Sequence, residues 1–132
     1  MSESELLGKF VIDRQLPSLN VVIDANRSNY HKGAKMKRDI DNSIGWFIVD
    51  AIGRKTLSPV TVPCEIIVRY HESTKRRDAD NIISANKFIL DALQKQKILP
   101  NDNRRWVKQI HPIIVDDDKD FVEVFLIAAK QR

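Results

Sequence analysis

The sequence predicts an α+β domain: a small mixed β-sheet with two main helices packed on it, in the order β-α-β-α-β-β. Three observations carry this reading. Apolar residues recur at three- and four-residue steps over residues 33–52, and again over about 81–97, which is the helical period. Between those runs Cys64, Ile66, Val68 and Tyr70 alternate with more polar neighbours, which is the strand period. Two β-rich stretches follow the second helical run.

Taken in order, "KFVIDRQL" (9–16) reads as a strand and "PSLNVVIDANRSN" (17–29) as a turn-rich connection with some extended character. Met36, Ile40, Ile44, Phe47, Ile48 and Ala51 give the first helix its buried stripe, with Trp46 on one flank. "LSPVTVPCEIIVRYHE" is the next strand, and Pro59 and Pro63 confine its first half to an edge or a loop. In the second helix Ile82, Asn86, Ile89, Leu90 and Leu93 share one arc, while Asp80, Ser84, Lys87 and Asp91 line the opposite face. "WVKQIHPIIVDDDKDFVEVFLIAA" reads as two strands around an acidic turn at 116–120, a hairpin.

The length of 132 residues fits one domain over 1–132. With 42% hydrophobic and 30% charged residues the composition is that of a soluble globular protein. A formal charge of +4 points weakly to a polyanionic partner. The single cysteine, Cys64, excludes an internal disulfide framework and reads as a buried core residue. No apolar stretch approaches the roughly 20 residues of a membrane span, and "MSESELLGKF" lacks the features of a signal peptide. A cytoplasmic protein with no membrane partner is therefore expected.

The chemistry concentrates in "STKRRDADNIISANKFILDAL" (73–93), where Lys75, Arg76 and Arg77 abut Asp78 and Asp80. A bland account is available: a solvated helix face, an N-cap and local charge balance. One cap needs only one Asp, however, and two neighbouring carboxylates repel each other unless they share a cation. Mg²⁺ suits them, because it takes one or two carboxylates plus water and substrate phosphate. "LPNDNRRWVK" repeats the mixture with Asp102 beside Arg104 and Arg105, and Trp106 there reads first as packing under the Asp102 loop, with stacking on a base as the alternative. The start of the first helix carries Lys32, Lys35, Lys37 and Arg38, where cations oppose the helix dipole at about 0.3–1 kcal/mol each. Such charge makes sense if an external anion uses it. His31, His71 and His111 lack metal-ligand spacing, and Asp116, Asp117 and Asp118 read as solvated turn residues.

"RRDADNIISANKFILDAL", with Asp102 eleven residues after Asp91 and then Trp106, resembles the RusA-type Holliday junction resolvases. The opening "LPSLNVVIDANRSNYHKGAKMKR" is similar to the phage- and prophage-associated branch of that family, and the resemblance covers about residues 9–127. It implies a RusA-like fold, a homodimer, and Mg²⁺-dependent (alternatively Mn²⁺-dependent) endonuclease activity on four-way junction DNA. Carried over by position, Asp78, Asp80 and Asp102 would hold the metal and Lys87 would be the essential lysine. Ser84 stands where some members place that lysine. Aligning on F-x-x-D-A-L puts Lys87 there instead, one helical turn further on. At Lys97, where many relatives have a glycine closing the helix, either a left-handed cap costs roughly 1 kcal/mol or the helix ends differently.

The expected mechanism is metal-assisted phosphodiester hydrolysis, with Lys87 stabilising the transition state. Lys35, Lys37, Arg38, Lys75, Arg76, Arg77, Arg104 and Arg105 would anchor flanking phosphates without reading sequence. The alternatives are a metal-dependent nuclease for other branched DNA and a non-catalytic nucleic-acid-binding protein.

Overall fold

The computed structural model describes residues 5–130; the "MSES" start used in reading the N-terminus lies outside them. Its elements are β1 (Leu6–Ile12), α1 (Leu19–Ser28), α2 (Tyr30–Gly53), β2 (Cys64–Glu72), α3 (Ala79–Ile83), α4 (Asn86–Lys95), β3 (Val107–Asp116) and β4 (Phe121–Ala128). The α+β class and the mixed sheet are present. The sheet has four strands in the order β1-β4-β2-β3.

β2 is central because it is the strand richest in core-facing apolar residues: Cys64, Ile66, Val68 and Tyr70 are all buried. It pairs antiparallel with β4 and parallel with β3, from Cys64 opposite Val107 to Glu72 opposite Asp116. Parallel strands need a crossover, and α3 with α4 provide it. Val122, Val124 and Leu126 of β4 and Phe10 and Ile12 of β1 extend the same buried face. The buried residues form one cluster, into which α2 contributes Ile40, Ile44, Ile48 and Ala51 and α4 contributes Phe88, Ile89, Ala92 and Leu93. Full burial of a side chain such as Ile44 or Leu93 is worth about 1.5–3 kcal/mol.

Three expectations are corrected. Residues 19–28 form a helix, not a turn-rich connection. Asn29 ends α1 and caps α2, its side chain accepting the Lys32 N–H at 3.2 Å. The two helices meet so closely at Gly33 that a Cβ there would stand 2.7 Å from the Asn26 Cα.

The second expected helix is two helices, α3 and α4. At Ser84 and Ala85 the backbone tightens (ψ −22° and −12°) and Ala85 N–H turns back to the Ile82 carbonyl at 3.2 Å, a 3₁₀-type bond.

β3 and β4 do not form a hairpin, because β2 lies between them. The connecting residues span the width of one intervening strand, and Asp117 N–H donates to the Glu72 carbonyl at 3.0 Å on the way. "DDDKD" offers no glycine for the left-handed backbone of a two-residue hairpin turn, and none of its residues has positive φ.

Other expectations hold. β2 begins immediately after Pro63. Trp106 is partly buried against the core. Lys97 adopts φ 62° and closes α4, with Lys97 N–H to Gln94 O at 3.0 Å and Ile98 N–H to Leu93 O at 2.9 Å, a Schellman closure. No helix among the described residues is long and apolar enough to cross a membrane.

Candidate active site

The core-facing alternation of β2 continues one step past Tyr70 and places Glu72, only 4% exposed, on the buried face. Arg77 answers it with a two-pronged contact: Nε to Oε1 at 3.0 Å and Nη2 to Oε2 at 2.9 Å. Its third prong, Nη1, donates to the Leu16 carbonyl at 2.8 Å, and Gln15 reaches Glu72 Oε1 at 3.4 Å. A bidentate guanidinium–carboxylate pair fixes orientation as well as distance. Arg77 therefore pins the chain just before the acidic pair, and its guanidinium faces inward. That differs from the phosphate-anchoring part expected from sequence.

Asp78 leaves this anchor with extended backbone (φ −69°, ψ 151°) at the N-cap of α3, yet its side chain accepts no capping hydrogen bond. Asp80 sits in the first turn of α3, where one carboxylate oxygen accepts the Asn81 N–H at 3.0 Å. Both residues are exposed, and neither forms an ion pair among the described residues. The adjacent cations do not quench them. Lys75 reaches Asp116 at 3.9 Å instead, and Arg77 is committed to Glu72.

Below this pair, Ser84 accepts the Leu19 N–H at 2.9 Å, supplying the cap that Ser18 does not give α1. Asn20 donates to Asn81 at 3.0 Å. The start of α1 thus rests on α3, so Ser84 belongs to a helix–helix joint, not to an open polar face. Asn86 accepts a hydrogen bond from the Tyr70 hydroxyl, tying α4 to β2; burial pushes the Tyr70 phenol above its ordinary value, while Arg77 opposes the shift.

Lys87, exposed in the first turn of α4, holds Asp91 at 3.2 Å. The other oxygen of Asp91 meets Lys37 of α2 at 3.5 Å, and Lys37 also meets Asp41 at 3.4 Å. Because α2 starts at Tyr30, Lys35, Lys37 and Arg38 lie beyond its first turn, which moderates the dipole penalty expected for them. Lys35 pairs with Asp39 at 3.0 Å. Arg38, Arg76, Arg104 and Arg105 are exposed and form no ion pair among the described residues.

Asp102 stands apart. It lies in the turn that enters β3, on the side of the sheet where β2 begins, whereas Asp78 and Asp80 stand where β2 ends. Val60 N–H to Ile98 O at 2.9 Å ties the segment leading to Asp102 to that far end. The turn is shaped by Asn101 and Asn103, whose side chains accept the N–H groups of Asn103 and Arg105, each at 3.0 Å. Among the described residues no three His, Cys, Asp or Glu side chains converge as a metal-holding group. Asp78 and Asp80, with two hard oxygen donors close in sequence and open to solvent, fit a Mg²⁺ or Mn²⁺ ion that takes its remaining ligands from water and phosphate. Asp102 does not join them within one chain.

A second charged cluster had only a faint sequence signal. His71, 6% exposed, places Nδ1 2.8 Å from Asp117 and Nε2 2.6 Å from Glu123, and stacks on Phe121 at 3.9 Å. Hydrogen bonding from Asp118 and His71 holds the Asp117 carboxyl below its usual range. Asp120 accepts the Ser73 N–H and hydroxyl at 2.8 and 2.9 Å. Asp117 and Asp120 therefore clasp the end of β2, which corrects the solvated reading for Asp117, while Asp116 and Asp118 are exposed as expected. Cys64 is buried as expected, and burial, with Glu65 beside it, pushes its thiol up to about 11, so it is no nucleophile at neutral pH.

No family model matches the chain, and no curated protein is similar enough to match it.

Proposed function

We propose that the protein is a Mg²⁺-dependent, structure-selective endodeoxyribonuclease acting on branched DNA, of the RusA-like resolvase type, and that it nicks four-way junctions as a homodimer. The observation that carries this reading is the pair Asp78 and Asp80: exposed, without an ion-pair partner among the described residues, and held at the mouth of α3 by the buried Glu72–Arg77 clamp, with Lys87 on the following helix. The R-R-D-x-D-N core and F-x-x-D-A-L support it as a resemblance. When bound, Mg²⁺ supplies Lewis-acid chemistry that acidifies water and offsets phosphate charge.

The chain's own residues do the rest in this reading. Asp78 and Asp80 fix the cation at the exposed end of α3. Lys87 places its ammonium beside the scissile phosphate, where negative charge grows in the transition state. Arg38, Arg76, Arg104 and Arg105 hold flanking phosphates. A four-way junction has approximate two-fold symmetry, so one site per subunit of a symmetric dimer gives two matched nicks.

The test is incubation of the purified chain with an end-labelled four-way junction in Mg²⁺ or in EDTA. Paired symmetric nicks that need the metal are expected. Tight binding without nicks under any divalent cation would turn the reading into that of a junction-binding protein. Gel filtration at micromolar concentration should give about twice the 15.2 kDa of one chain, and elution as a monomer would remove the dimer.

A further inference from the structure

We infer that Lys37 and Asp91 are positioning residues for Lys87, and that the cross-helix chain Lys87–Asp91–Lys37–Asp41 sets where the Lys87 ammonium points. The functional meaning of this inference rests on the nuclease reading; the geometry does not.

A lysine on an exposed helix face carries about 2 kcal/mol of rotamer entropy on its four-carbon stem. A group that stabilises charge in a transition state is effective only if it is already placed. Lys87 is 59% exposed, so packing does not place it. Its only ion-pair partner among the described residues is Asp91, one turn further along α4. Within a helix the order base-then-acid is the weaker of the two i, i+4 orders, so the local pair alone is a poor tether.

The carboxylate of Asp91 is divided between two lysines. One oxygen meets Lys87 at 3.2 Å and the other meets Lys37 at 3.5 Å. Lys37 comes from a different helix, so it fixes the plane of that carboxylate from outside α4. Lys37 is itself fixed: its ammonium meets Asp41 at 3.4 Å and stands 6.0 Å from the centre of the Phe88 ring, which is fully buried. The second oxygen of Asp41 is buried with no hydrogen-bond partner among the described residues. Asp41 therefore depends on Lys37, and Lys37 is committed between two carboxylates on α2 and α4. This assigns Lys37 to the scaffold of the site instead of the phosphate footprint. Two lysines and two aspartates balance in charge, which leaves the three N–H donors of Lys87 only partly used and free to meet a phosphate oxygen.

Two readouts test this. The first needs no cleavage. In protein labelled with ¹³C at the lysine ε-methylenes, the order parameter of Lys87 should fall toward that of Lys119 on replacing Lys37→Met or Asp91→Asn. An unchanged Lys87 order parameter in both variants overturns the inference.

The second is steady-state cleavage of a four-way junction. Asp91→Asn and Lys37→Met should lower kcat about two- to fivefold with KM unchanged, the scale of a partly exposed ion pair. Asp91→Glu should restore most of the rate. The swapped variant, Lys37→Asp with Asp91→Lys, restores a bond between α2 and α4 but turns an ammonium toward Lys87. Its kcat should stay low, and full recovery would show that the pair merely bolts two helices together. If the wild-type chain nicks no branched DNA while Lys87 still loosens in the variants, the positioning stands and the nuclease reading falls.

Discussion

Residues 72–80 contain two charged arrangements that the sequence makes look alike and the fold treats in opposite ways. Glu72 and Arg77 are closed on each other in the interior, with both carboxylate oxygens and three guanidinium nitrogens committed. Asp78 and Asp80, one and three residues further on, face solvent with three cations adjacent in sequence and form no ion pair among the described residues. Charge neutralisation alone would have satisfied the nearest carboxylates first. Instead the nearest arginine reaches back into the core, and the outward acids are left open. The buried pair is a fixed anchor, and the open pair is what the anchor presents.

The largest expected effect breaks the open pair. Asp80→Asn should reduce Mg²⁺-dependent junction cleavage by about a thousandfold or more, while the fold and junction affinity are retained or affinity rises. Cleavage at the wild-type rate would show that Asp80 only decorates the start of α3. The anchor should respond in the other currency, stability. Arg77→Met strands Glu72 in the interior as an unpaired charge and should cost about 3–5 kcal/mol in urea unfolding. Asp78→Asn, one residue away, should shift stability by no more than about 0.5 kcal/mol. Equal losses in the two variants would erase the distinction between anchor and presented pair.

The same contrast explains what could be read from the sequence. Periodicity was enough for α2, β2 and the apolar arc of α4, because those residues face one core and their spacing records it. The R-R-D-x-D-N segment was legible as a candidate site because mixed charge beside a helix start is chemically unusual. Most of what escaped depended on partners far along the chain, and the Glu72–Arg77 clamp, five residues apart, depended on burial. Nothing local distinguishes Arg77 from Arg76; the alternation was followed only to Tyr70, and it is the burial of Glu72 one step beyond that calls for an arginine. Residues 19–28 resisted reading because Val21, Val22 and Ile23 are β-branched and the cap comes from Ser84, 65 residues away. The strand order was hidden because a short acidic connection suits a hairpin as well as a step across β2. Asp102 shows the limit of carry-over by position: its spacing matched, yet the topology sets it at the other end of the sheet.

A smaller effect tests the closure of α4, which holds the helix carrying Lys87. Lys97 occupies a left-handed conformation (φ 62°) that costs a side-chain-bearing residue energy and glycine almost none. Lys97→Gly should raise stability by about 1 kcal/mol and leave cleavage unchanged. A loss of stability would mean that the Lys97 side chain contributes more than its backbone costs.

The smallest effect separates the clasp at residues 117–120 from the open acids across β2. Asp117 has a folded-state value below its unfolded one, because Asp118 and His71 hydrogen-bond its charged form. A carboxyl depressed in this way contributes stability above its unfolded value, about 3.9 for Asp, and loses that contribution as pH falls through the lower folded value. On the side facing His71, Glu123 is the other carboxylate, and Arg69 meets it at 3.5 Å, so that face retains a pair when Asp117 is replaced. Asp117→Asn should therefore lower Tm modestly at pH 6, and the gap to wild type should close as the pH is taken below the ordinary carboxylate range. A gap of the same size at pH 3 and pH 6 would show that Asp117 acts through its shape and its link to the acidic turn, and that its charge contributes nothing.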